Sequence, residues 1–229
     1  MKILALDTAT EACSAALYLD GELAEDFRLA PRAHNRLILP MIDALLAQAG
    51  MAVGQLDALA FGRGPGSFTG VRIAAGVAQG IAFGAGLAVV PVSTLAALAL
   101  EALDEAGGEL FYPCIDARMG EVYWGVYRAA GTDRVEALAA EAVLAPGAVR
   151  VAEALRGCGI GSGWHSYGGL LTEQVGAERL GRVLPDRYPR AGCIARLALA
   201  EVLAGRIVAA EAAQPVYLRD QVAWKPGQR

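Results

Sequence analysis

The chain has 229 residues, 55% of them hydrophobic and 19% charged, with a formal net charge of −4. That is enough apolar material for one large or two small packed domains, and it excludes a disordered chain. It also argues against a free-standing nucleic-acid binder, which carries a basic stripe, so any RNA would have to be held through a partner.

In chain order, Lys2 to Leu6, Ser14 to Leu19 and Glu22 to Leu29 read as strands, the last two joined by the turn Asp20-Gly21. Asp7 breaks the first apolar run too early for a signal peptide. "HNRLILPMIDALLAQAG" is helical in pattern, with Leu37, Ile38, Met41, Ile42, Leu45 and Leu46 recurring at helical spacing and apolar on more than one face. Leu56 to Phe61 is a short strand, followed by the loop "GRGPGSFTG" and a helix from about Phe68 to Phe83. Leu87 to Val90 is a strand and Thr94 to Ala106 a helix. No charged residue occurs from Ile73 to Leu100, a length that would span a bilayer. Gly84, Gly86 and Pro91 instead cut it into helix, strand and helix, so no membrane span is expected. "EAGGE" marks the expected boundary between residues 1–106 and 107–229.

The second half opens "LFYPCIDARMGEVYWGVYR", which aligns with "KILALDTATEACSAALYLD" when Asp116 lies under Asp7. Each copy is a strand ending in aspartate, a tight turn and a returning strand. The placement of this repeat implies a duplicated α/β architecture. A helix near Ala148 to Leu155, a strand at Cys158 to Ile160, a glycine turn "GIGSG" and a helix from about Gly192 to Leu203 complete the expected elements.

The glycine loop fails two nucleotide fingerprints. It lacks the lysine of a Walker A loop, and Thr69 stands where a dinucleotide motif needs its third glycine. Ser67 or Thr69 can cap the following helix, whose free N–H groups remain an option for an anion. That helix carries Gly76, Gly80 and Gly84 at i, i+4, i+8, each costing about 1 kcal/mol relative to alanine. Such a row implies close approach, either by the chain's own elements or by a helix of another subunit. In sugar-kinase and actin-like proteins, strand–Asp–turn hairpins face a nucleotide and its metal. Here "DTAT" and "DARM" put Ala9, Arg118 and Met119 where a glycine turn is usual, so Asp7 and Asp116 read as turn caps or as remnants of a degraded site. Cys13, Cys114, Cys158 and Cys193 form no CxxC pair, and His34 and His165 lie far apart, so no zinc spacing is present. Isolated cysteines in apolar runs suit a cytosolic core. His34 is expected in a cap or surface role.

"ILALDTATEACSAAL", "GRGPGSFTGVR", "IDARMGEVYWGVY" and "PVYLRDQVAWK" together resemble the bacterial TsaB (YeaZ) family over nearly the whole chain. The resemblance implies a duplicated, two-domain actin-like (sugar kinase/Hsp70, ribonuclease H-like) fold. It implies a cytoplasmic, non-catalytic partner of the threonylcarbamoyl transferase TsaD, acting with the ATPase TsaE. The product is N6-threonylcarbamoyladenosine next to the anticodon of tRNAs reading ANN codons. No cofactor is then expected on this chain, since ATP and Mg²⁺ belong to the partners, with weak nucleotide binding at a shared interface kept open. The metal motif HxxxH of the transferase is not matched, because Ile38 stands four residues after His34. The partner face, used also for a homodimer, is expected at Leu37, Met41, Leu45, Phe68, Arg72, Gly76, Val77 and Gly80. Asp7, Thr8, Thr10, Ser67 and Asp116 would be the vestigial nucleotide or anion residues. The rival readings are a small ATP-dependent phosphotransferase with Asp7 and Asp116 at the metal, and a glycoprotease-like metallopeptidase, which lacks visible metal ligands.

Overall fold

A strand without a polar face must be covered on both sides, and Ile3 to Leu6 are fully buried because helices lie above and below them. The computed structural model describes residues 1–152 and 156–219. Strands β1 (Lys2–Asp7), β2 (Ala12–Leu19) and β3 (Glu22–Leu29) form an antiparallel meander. Asp20 and Gly21, both at positive φ, make its tight turn. Helix α1 (His34–Gln48) leads to β4 (Ala58–Gly64), α2 (Phe68–Ala85) and β5 (Ala88–Ser93). β4 and β5 add in parallel, which gives the order β3-β2-β1-β4-β5.

Helix α3 (Thr94–Ala106) carries the chain to a second sheet. This contains β6 (Leu110–Arg118), β7 (Glu121–Trp124), β8 (Tyr127–Ala129), β9 (Val135–Ala137), β10 (Ala142–Leu144), β11 (Gly157–Ile160) and β12 (Leu180–Leu184). Its main path is β10-β7-β6-β11-β12, with β10, β7 and β6 antiparallel and β11 and β12 parallel. Order and directions match the first sheet strand for strand, so the repeat seen around Asp7 and Asp116 extends to the whole unit. β7 and β8 continue one register against β6 across a break at Gly125–Val126, and β8 pairs separately with β9.

The helices follow the same duplication. α1 and α2 cover one face of the first sheet. α4 (Ser162–Val175), kinked at Tyr167, packs Trp164 and Leu171 on the outer face of the second. Between the sheets lie α3 and α5 (Ala191–Leu203). α5 packs on the first sheet through Ile194 and Ala198, and α3 faces the second through Leu95, Leu98 and Ala102. The sheets change over across Gly107 to Glu109, and α5 returns from the second half of the chain to the first sheet.

Two expectations need correction. Ala148 to Leu155 is not a helix where it is described: Pro146–Ala148 is a 3₁₀ turn, residues 149–152 are irregular, and residues 153–155 lie outside the described residues. The "GIGSG" turn ends at once in α4. That helix escaped the pattern because Gly163, Gly168 and Gly169 lower its propensity.

The N-terminus of α5 is capped from the first unit. Ser14 Oγ accepts from the Ala191 N–H at 3.0 Å, and Glu25 Oε1 accepts from the Gly192 N–H at 2.8 Å. Glu25 also pairs with Arg190. Replacing Glu25 with Ala removes the acceptor of the Gly192 N–H and leaves Arg190 without this partner. A loss of about 1–2 kcal/mol is expected, read as a lower urea midpoint at an unchanged m-value.

Candidate functional site

The two aspartate turns open onto one cleft of about 950 Å³ between the units. It lies at the carboxyl ends of β1 and β6, where open α/β sheets usually bind ligands. Its walls are the β1–β2 turn (Ala9, Thr10, Glu11), the start of α1 (His34, Asn35), the glycine loop with the first turn of α2, and the β6–β7 turn around Asp116 and Arg118. The fourth side is the segment Val216 to Arg219.

The glycine loop is built to lie against the chain's own first turn. A Cβ on Gly70 would sit 2.0 Å from Thr8 O, and one on Gly66 2.4 Å from Ala9 O. The Ser67 N–H donates to Ala9 O at 2.7 Å, and Thr8 Oγ1 donates to Gly70 O at 2.7 Å. Ser67 caps α2, its Oγ accepting from the Gly70 N–H at 3.0 Å. Thr8 is thus fully buried in structural bonds, and Ser67 is engaged in the helix cap. Thr10 accepts weakly from the Ala12 N–H at 3.4 Å.

Both aspartates cap turns in the same way. Asp7 Oδ1 accepts from the Ala9 N–H at 3.0 Å, and Asp116 Oδ1 from the Arg118 N–H at 2.8 Å. Their other oxygens differ. Asp7 Oδ2 is buried with no hydrogen-bond partner, in space that a Cβ on Gly62 would fill. Burial pushes the Asp7 carboxyl up to about 7, opposed by the Ala9 N–H. Asp116 Oδ2 instead accepts from Ser166 Oγ at 3.1 Å and from the Arg118 guanidinium at 3.2 Å. Arg118 then reaches across the cleft mouth to Glu11. Arg118, Met119 and Gly120 all stand at positive φ, a strained run held from behind by Arg219. The Arg219 guanidinium donates to Ala117 O at 3.1 Å and pairs with Glu121.

His34 corrects its expected role: it is only 8% exposed, and its Nε2 lies 3.1 Å from Ala12 O, tying α1 to β2. Among the described residues no group of three or more His, Cys, Asp or Glu side chains could hold a metal ion.

The helical face divides sharply. Met41 and Leu45, expected at a partner surface, are 1% and 5% exposed and belong to the core over β2 and β4. Their spacing reads the buried side of α1, because an inward stripe and a docking stripe look alike in sequence. Leu37 and Val77 are partly buried against the same core. Phe68, Arg72, Gly76 and Gly80 do lie outward on α2. Among the described residues a Cβ on Gly76, Gly80 or Gly84 would meet nothing within 4 Å, so the glycine row serves no contact with them. Sequence reasoning missed Phe83, which is 81% exposed, and Leu39 on α1, 48% exposed. Among the described residues α2 is the one helix long and apolar enough to cross a membrane, yet it buries Val71, Ala74, Ala75, Ala78 and Ala82 on its own sheet.

Two equivalent sheets of order 3-2-1-4-5, with an aspartate turn from each facing a shared cleft, define a duplicated α/β protein of the actin-like, ribonuclease H-like class. The family model for TsaD, tRNA N6-adenosine threonylcarbamoyltransferase, matches residues 28–156. The tRNA threonylcarbamoyladenosine biosynthesis protein TsaB of Escherichia coli (strain K12) is 45% identical over 98% of this chain and 97% of its own length. Its counterpart in Haemophilus influenzae (strain ATCC 51907 / DSM 11121 / KW20 / Rd) is 41% identical over 98% of this chain and 96% of its own length. The solved YeaZ from Pseudomonas aeruginosa superposes with a TM-score of 0.86 at 43% identity, over 95% of this chain and 99% of that one. The chain belongs to the TsaB family of tRNA threonylcarbamoyladenosine biosynthesis proteins.

The buried Asp7 carboxyl gives stability a definite pH dependence. Below its ordinary value of 3.8 it is protonated in both folded and unfolded chains. Between 3.8 and about 7 only the unfolded chain ionises, so rising pH favours unfolding, and the full penalty stands above 7. Glu101, buried and pushed up to about 8, acts in the same direction. Asp7→Asn keeps the acceptor for the Ala9 N–H and removes the Asp7 part. Urea melts of this variant from pH 4 to 8 are expected to flatten, with a gain on the order of 3 kcal/mol at pH 8.

Proposed function

We propose that this chain is a non-catalytic subunit of the assembly that forms N6-threonylcarbamoyladenosine. It would dock a TsaD-like threonylcarbamoyl transferase on the outer face of α2 and the exposed edge of α1. The observation that carries this is the row Gly76, Gly80 and Gly84, open to solvent beside the exposed Phe68 and Phe83. Glycines cost a helix about 1 kcal/mol each, and nothing among the described residues uses the space they leave. A helix from another subunit can approach such a row closely enough to bury backbone as well as side chains.

The cleft supports the non-catalytic reading. A phosphotransferase of this class needs ionised carboxylates that face a metal–nucleotide complex. Asp7 is buried under Gly62, where ionisation is disfavoured, and Asp116 is bound by Ser166 and Arg118. In this reading ATP and Mg²⁺ belong to the transferase and to a TsaE-like ATPase, and the chain needs no cofactor of its own. Its charge of −4 fits contact with tRNA through the complex alone, at the adenosine 3′ of the anticodon in tRNAs reading ANN codons. The four buried free cysteines suit the reducing cytoplasm. Alone, the chain would cover the same α2 face with a second copy.

Gly76→Leu and Gly80→Leu are the direct tests. Both side chains project into open space, so the monomer should fold normally and melt at the same or a higher temperature. Binding to the transferase should fall at least about tenfold, the equivalent of 1.4 kcal/mol. Circular dichroism and titration calorimetry read the two effects separately. Unaltered affinity would remove the docking role from α2. Micromolar ATP–Mg²⁺ binding with turnover by the isolated chain would restore the phosphotransferase.

A further inference from the structure

Arg72 is the only charged residue of α2. Its guanidinium lies 3.3 Å from the centroid of the Phe68 ring and 5.2 Å from that of Tyr217. The two rings are themselves 5.9 Å apart and tilted by 41°. Among the described residues the guanidinium makes no hydrogen bond or ion pair. Phe68 and Tyr217 are 48% and 44% exposed. The planar cation is therefore fixed by its faces while its N–H edges remain unpaired.

Tyr217 arrives from far along the chain, on a segment that is itself anchored. Gln79 Nε2 on α2 donates to Ala213 O at 3.0 Å. The Val216 N–H donates to Arg63 O at 2.8 Å, and Arg219 holds the β6–β7 turn. Gly64 leaves room for the crossing, since a Cβ there would lie 3.0 Å from Val216 O. Residues 213–219 thus form a strap from the first unit to the second, with Tyr217 turned toward α2.

Resting on the docking role proposed above, we infer that Phe68, Arg72 and Tyr217 form the anchor of that face, and that Arg72 receives a carboxylate side chain from the transferase. Tyr217 is a positioning residue that fixes the guanidinium for a two-pronged bond. The argument is charge complementarity: a single unpaired cation stands on an otherwise neutral, glycine-lined helix of a chain with net charge −4. An arginine stacked on rings loses little freedom on binding, its planar fork matches a carboxylate, and such arginine–aromatic clusters are where interface energy concentrates. Lysine cannot replace it, because an ammonium neither stacks nor forks.

Calorimetry of the full chain with the TsaD-like transferase of the same organism tests this. Arg72→Ala and Arg72→Lys should weaken binding at least about tenfold and fivefold, and Tyr217→Ala about fivefold. Tyr217→Phe should restore affinity to within about twofold, which a role through the hydroxyl would not do. Charge reversal identifies the ligand group: among changes of exposed Asp or Glu to Arg on the transferase, one should recover binding to Arg72→Glu. Parent-like affinity in Arg72→Ala, or recovery in none of the reversals, overturns the anchor. Gly76→Leu separates the two ideas. If it blocks binding while Arg72→Ala does not, docking on α2 stands and the anchor falls. If neither affects binding, both fall. If Arg72→Ala alters only self-association measured by sedimentation, the cluster serves a second copy and the inference is wrong.

Discussion

Everything in this molecule hangs on the middle layer formed by α3 and α5. α3 is buried around nearly its whole circumference, with Ala97 and Leu100 toward the first sheet and Leu95, Leu98 and Ala102 toward the second. A helix with so wide an apolar surface is stable only when enclosed. The many alanines let two helices fit between two sheets at close range. Because α5 comes from the second half and lies on the first sheet, neither unit completes its core without the other. That interlock places the two aspartate turns face to face and so creates the cleft.

The same economy of small residues is used for three purposes. Buried alanines thin the middle layer. The glycines of the loop after β4 let a turn from β1 press against α2 without clashing backbones. Among the described residues the glycines on the outer side of α2 touch nothing, which is what separates them from the other two groups. The glycine loop packs against the main chain of Thr8 and Ala9, while the glycines of α2 face outward.

Much of this was legible in the sequence, and the limits are physical. The strand–Asp–turn–strand copies announced the duplication because hairpin turns and apolar strands are local features. The missing lysine and third glycine set two nucleotide motifs aside on sequence grounds, and in the structure the loop packs against Thr8 and Ala9. The glycine row on α2 was visible, but whether it faced in or out was not, since periodicity has a phase only relative to a core. The same ambiguity placed Met41 and Leu45 on the wrong side of α1. α4 was missed because its packing, through Trp164 bonded to Tyr112 O at 2.8 Å, overrides a glycine-laden local preference. The strap could not be read at all: Val216 and Tyr217 meet partners about 150 positions away, and nothing local records that.

The cleft mouth is held by two kinds of contact. The Arg118–Glu11 bridge joins side chains that are 70% and 35% exposed, so water and counterions reach it freely. At physiological ionic strength charges are screened over about 8 Å, and such a pair contributes little. Along α2 the strap is held by a main-chain hydrogen bond at Val216 and by ring contacts at Tyr217, which salt scarcely touches. The molecule therefore has one closure that loosens with ionic strength and one that does not. The cleft edge beside the β1–β2 turn should breathe with the ionic composition of the surroundings while the edge along α2 keeps its shape.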